Sequence, residues 1–111
     1  MKVVELNIGS TSALLIGEKS EKVFLFVHGL HGRKEEALAF AKEAVPKGYQ
    51  VLSIDLPVER KPWEVLPLLN EVRDYLYENW KSVSVCANFP HGRDFFHPIK
   101  SFLRNSDENL C

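Results

Sequence analysis

Residues 23–33 read VFLFVHGLHGR, and this stretch decides the fold. The apolar run Val23 to Val27 shows no alternation with polar positions, so the strand it forms must be covered on both faces, as in the middle of a parallel sheet. The run ends in His28-Gly29, is followed by a second pair, His31-Gly32, and then passes into a helical pattern. Backbone N–H groups at such a corner between strand and helix are placed to hold a developing negative charge on oxygen.

On the carboxyl side, Ala37, Leu38, Ala41, Ala44 and Val45 recur at spacings of three and four, which predicts a helix over Lys34 to Lys47 with one apolar face. Gly48 suits the left-handed position just past its end. Tyr49 to Ile54 (YQVLSI) is a second strand of the buried type, broken by Asp55-Leu56-Pro57, and a polar loop, Val58 to Lys61, follows. Pro62 to Trp80 is helical in period, with Leu66, Leu69, Val72, Leu76 and Trp80 on one stripe and Glu71, Arg73, Asp74 and Glu78 facing away. Pro67 is expected to begin the regular part of that helix, because proline is tolerated in a first turn and disruptive later. Ser82 to Ala87 (SVSVCA) is a third short strand of the parallel type.

On the amino side, Val3 to Ile8 and Ala13 to Gly17 flank Gly9-Ser10-Thr11 and predict an antiparallel pair at a sheet edge. The order strand, strand, strand, helix, strand, helix, strand makes an α/β domain: a three-layer sandwich whose sheet is mostly parallel, with an antiparallel amino-terminal edge pair.

A chain of 111 residues, 45% hydrophobic and 26% charged, has room for one globular domain. With 14 basic and 15 acidic residues, charge gives no reason to expect a nucleic-acid or membrane partner. Glu5 and Asn7 interrupt the region a signal peptide would keep apolar, and no run approaches the roughly 18 residues of a membrane span, so a cytoplasmic location is expected. Cys86 in a strand and Cys111 at the last position are expected to be reduced thiols.

The composition shifts near Asn88, which divides the chain into residues 1–88 and a divergent tail, 89–111. In that tail His91, Asp94 and His97 have metal-capable side chains, but their spacing alone is a weak signal and no metal is expected. Phe95, Phe96 and Phe102 beside Arg93, Lys100 and Arg104 could stack and pair with single-stranded nucleic acid; apolar contact with the sheet is the preferred reading. Trp63 and Trp80 are expected to be core residues without a ligand.

The series of strand, His28-Gly29, helix, YQVLSIDLP, helix and SVSVCA resembles the amino-terminal half of an α/β-hydrolase, most nearly the small bacterial serine esterases and peptidase-like hydrolases. The resemblance covers about residues 1 to 88 and implies a truncated α/β-hydrolase fold. It implies hydrolysis of a small ester or amide through an acyl-serine, without a cofactor. It assigns the oxyanion hole to the backbone at Gly29 and Leu30, with His28 and Asp55 as supporting loop residues. Asp55 is expected to cap a loop or helix, since the family's acid lies later in the chain. Glu59 and Arg60 are expected to be surface charges.

The resemblance also implies a strained nucleophile elbow after the last strand. The matching positions read Ala87-Asn88-Phe89-Pro90-His91. Phe89 has no nucleophilic atom, and Pro90 has no N–H to give the oxyanion hole. The family's acid and general base lie beyond the elbow and have no visible match, so the chain is expected to be inactive. A shifted reading frame is one explanation. With CGN for Arg93, the codons of His91 to His97 read one base later permit Met-Gly-Ala-Ile-Phe-Ser, like the helix after an elbow, although an insertion is also needed to restore the serine. The alternatives are a non-catalytic interaction module that dimerises through an open edge at Ser82 to Ala87, or a flavodoxin-like domain with an anion at the Leu30 to Lys34 helix start.

Overall fold

A computed structural model describes residues 1–28, 33–55 and 62–87, without the side chains of 62–66 and 87. Its elements are β1 (Val3–Ile8), β2 (Thr11–Ile16), β3 (Lys22–Val27), α1 (Ala37–Ala44), β4 (Tyr49–Ile54), α2 (Pro62–Asn79) and β5 (Ser82–Ala87). They build one mixed sheet in the order β1-β2-β4-β3-β5. β1 and β2 form an antiparallel hairpin, β2 is antiparallel to β4, and β4, β3 and β5 are parallel. This is the α/β architecture with an antiparallel amino-terminal pair that the sequence pattern predicts. Gly9 makes the hairpin turn at φ 59°, a conformation open to a residue without a Cβ.

The alternation of side chains along each strand divides the core into two layers. On one face Val23, Leu25 and Val27 of β3, Leu52 and Ile54 of β4, and Val83 and Val85 of β5 pack against Leu69, Val72 and Leu76 of α2 and against Trp80 just beyond it. On the other, Phe26, Val51, Leu14, Ile16 and Cys86 pack against Ala37, Ala41 and Ala44 of α1. Three alanines on the buried side let that helix lie close to the sheet. The aromatic pairs Phe24–Phe40 (5.1 Å between ring centres) and Phe24–Tyr49 (4.6 Å) close the layer.

Three expectations are corrected in detail. The first helix is regular only over Ala37–Ala44: a 3-10 turn, Lys34–Glu36, leads into it and another, Val45–Lys47, leaves it. Pro46 in the last turn has no N–H for an α-helical bond, and Gly48 ends the segment at φ 94°. Pro67 does not begin the second helix; Pro62 takes the first position, and Pro67 is an exposed interior residue. The buried stripe of Leu69, Val72 and Leu76 outweighs one missing hydrogen bond. Cys86 is disulfide-bonded and not a reduced thiol, because separation along the chain says nothing about distance in the fold.

A polar group holds the opposite end of the sheet. Gln50 Oε1 accepts from the indole N–H of Trp80 (2.8 Å) and from the N–H of Ser20 (3.2 Å), so a buried amide ties β4 to α2 and to the loop before β3.

Candidate active site

The register sets the stage. Val27 of β3 lies beside Ile54 of β4 on one side and Ala87 of β5 on the other, so three parallel strands end abreast. The chain leaves β3 for β4, then passes back across β3 to reach β5. The carboxyl end of β3 is therefore a topological switch point, where open α/β sheets form their ligand crevice.

His28 and Asp55 are the first residues past β3 and β4, and both stand at this end of the sheet. His28 is 3% exposed, and its Nε2 lies 3.9 Å from Asp55 Oδ1, beyond hydrogen-bond reach. Asp55 is the hub of the site. Its Oδ1 accepts the backbone N–H of Lys34 at 2.7 Å, and its Oδ2 lies 3.0 Å from Lys34 Nζ. The Asp55 N–H donates in turn to the carbonyl of Ser12 at 3.0 Å, which fixes the residue against β2.

Lys34 is held from both sides. Ser53 Oγ donates to its carbonyl at 2.7 Å while Asp55 takes its N–H, so one residue of β4 and the first residue past it clamp the backbone of Lys34 at the start of the helical segment. The Lys34 ammonium also pairs with Glu35 at 3.2 Å. Hydrogen bonds to Asp55 and then Glu35 hold the ammonium pKa above the ordinary lysine value, against the opposing pull of burial. The helical segment that follows β3 is thus held at its start, at Lys34, by Ser53 and Asp55.

Of the residues singled out in the sequence, the structure brings His28 and Asp55 together. Gly29, Leu30, Phe89 and Pro90 lie outside the described residues, as do His31-Gly32, Leu56-Pro57, Glu59, Arg60, the tail residues and the Trp63 side chain. Lys34 and Ser53 were missed. Their signal was a polar residue inside the buried run YQVLSI and a lysine at a helix start, 8% exposed in the fold. No group of three metal-ligating side chains occurs among the described residues, and no described helix is long and apolar enough to cross a membrane.

No model of a known protein family matches the sequence, and no curated protein matches it. Solved structures do. Est1E from Butyrivibrio proteoclasticus superposes with a TM-score of 0.64 at 14% identity, over 78% of this chain and 40% of its own. A thioesterase domain from the curacin biosynthetic pathway gives 0.61 at 18% identity, over 79% of this chain and 35% of its own. A Vigna radiata epoxide hydrolase gives 0.65 at 16% identity, over 98% of this chain and 36% of its own. This chain spans well under half the length of each of the three. Over the part that it spans, a mixed sheet with one helix on each face, this chain has the α/β-hydrolase fold.

Proposed function

We propose that this chain carries the oxyanion-hole side of a serine-hydrolase site and that, as these 111 residues, it does not complete the acyl-enzyme reaction. The reading rests on the level alignment of Val27, Ile54 and Ala87. That register starts the His28-Gly29-Leu30 segment and the Asn88-Phe89-Pro90 segment from adjacent strands at one height, the relation an oxyanion loop and a nucleophile elbow require. The backbone N–H groups at Gly29 and Leu30 are assigned to a carbonyl oxygen of a small ester or amide, and Asp55 and His28 support their loop. In the sequence Phe89 takes the position of the attacking serine, and Pro90 has no N–H to serve as the second donor. The loss of one such donor costs about 10²- to 10³-fold in rate, so the defect is double.

A fluorophosphonate probe tests the reading directly. Neither labelling nor ester hydrolysis is expected; stoichiometric labelling of a serine would overturn it. Sequencing the gene around the codons of Phe89 to His97 tests the frameshift proposal. A second frame that continues into an elbow serine and further strands would support it, and one that meets stop codons would sink it. The division into a hydrolase-like part, 1–88, and a divergent tail, 89–111, belongs to the same proposal, as does a cytoplasmic site of action.

One observation favours a second reading, a non-catalytic interaction module. β5 is the last strand of the described sheet, and its apolar sequence has none of the charges or prolines that usually blunt an edge. Protection of the 82–87 amides from hydrogen exchange that grows with protein concentration would support it. Two observations weigh against the anion-binding reading: Asp55 takes the Lys34 N–H, and Glu35 and Glu36 make that first turn acidic.

A further inference from the structure

The oxidised cysteine has a place in the fold that the hydrolase-like reading does not use. Cys86 is disulfide-bonded, and the sequence holds one other cysteine, Cys111. A bond between these two closes everything after β5 into a ring that starts on the sheet.

β5 enters that ring as a fully paired strand. Ser82 to Ala87 stand in register with Lys22 to Val27 of β3, and Cys86 lies opposite Phe26. Val83 and Val85 are buried in the α2 layer, while Cys86, 7% exposed, belongs with Phe26, Val51 and Ala37 in the α1 layer. A reduced cysteine packs at such a position as a small apolar residue, so the layer keeps its filling whether the sulfur is oxidised or not. The strand pairing and both packed layers join elements between Val3 and Ala87, and none of these connections runs through the bond.

The position is also close to the clamp on Lys34. Phe26 lies beside Cys86 on one side and Ser53 on the other, so the three form one row across β5, β3 and β4 on the α1 face. Ser53 is the residue that holds the Lys34 carbonyl.

We propose that the disulfide joins Cys86 to Cys111 and is a reversible redox latch: closed, it holds residues 88–111 to the α1 side of β5; opened by a dithiol, it frees that segment and leaves the sheet folded. The exchange transfers two electrons and two protons. One thiolate of the dithiol attacks a protein sulfur, its second thiol displaces the mixed disulfide, and the products are the two cysteine thiols and the cyclic disulfide of the reductant. Neither cysteine takes part in the acyl-enzyme reading, so the two proposals fail separately.

Tryptic mapping of the unreduced full chain reads the linkage. Peptides 82–93 and 105–111 are expected as one species from a protein of monomer mass, and dithiothreitol should separate them with a gain of two hydrogens. Hydrogen exchange on the native chain then compares the two states. On reduction the amides of β3 and β5 should keep their protection, while those of 88–111 should exchange about tenfold faster or more, as the loss of a ring closure of this size allows. Cys111→Ser should behave like the reduced chain with or without dithiothreitol. If that variant fails to fold, the unmodified chain with and without reductant decides. Unlinked peptides, a bond between two chains, a bond that opens only on unfolding, loss of protection in β3 and β5, or unchanged exchange in 88–111 would each overturn the proposal.

Discussion

Asp55 shows how one side chain can organise a corner of the fold. Its carboxylate takes both the N–H and the ammonium of Lys34, while its own N–H holds β2. Asp55→Ala leaves the Lys34 N–H without its acceptor and should lower stability by about 1–3 kcal/mol. Asp55→Asn keeps an acceptor and should lose less, as urea unfolding of the two variants will show. Lys34 adds a pH dependence of known sign. Its pKa is raised in the folded state, so its contribution is fully present at neutral pH and is lost as the pH climbs through that raised value. The thermal midpoint should fall at alkaline pH, and less steeply in Lys34→Met than in the unmodified protein. Ser53 and Lys34 were legible in the sequence only as oddities, since their contact joins positions 19 residues apart.

The elements differ in how they meet their own local preferences. The α2 stripe is buried outright at Leu69, Val72 and Leu76, and the helix exists because that stripe covers the β3–β4–β5 face. Leu76→Ala should cost about 2–5 kcal/mol, read from the shift in denaturation midpoint. Pro67 opposes the helix it sits in, and its ring is exposed. Pro67→Ala should stabilise by about 1 kcal/mol or more, seen as a rise in thermal midpoint. The boundaries of β4 and β5 were readable to the residue, those of β4 because Gly48 and Asp55-Leu56-Pro57 punctuate them. The α1 segment was not, because apolar periodicity is nearly the same in a 3-10 turn and an α-helix, and Pro46 decides between them.

At the scale of the whole molecule, the carboxyl ends of β3, β4 and β5 stand together at one end of the sheet, where the proposed site lies, and β1 lies at the other side of the sheet. Phe89→Ser alone should give no fluorophosphonate labelling, since Pro90 still offers no N–H. Labelling of that variant would show that the rest of a working site is present. The sequence by itself determined the element order, the two-sided burial of β3 and β4, and the helix faces, because these follow from local periods of two and 3.6 residues. Tertiary structure alone decided that β4 and β5 flank β3, that Lys34 meets Asp55 across 21 residues, and that Cys86 is oxidised. Those pairings are chosen by packing across the sheet, where contacts between distant segments outweigh any preference the segments carry alone.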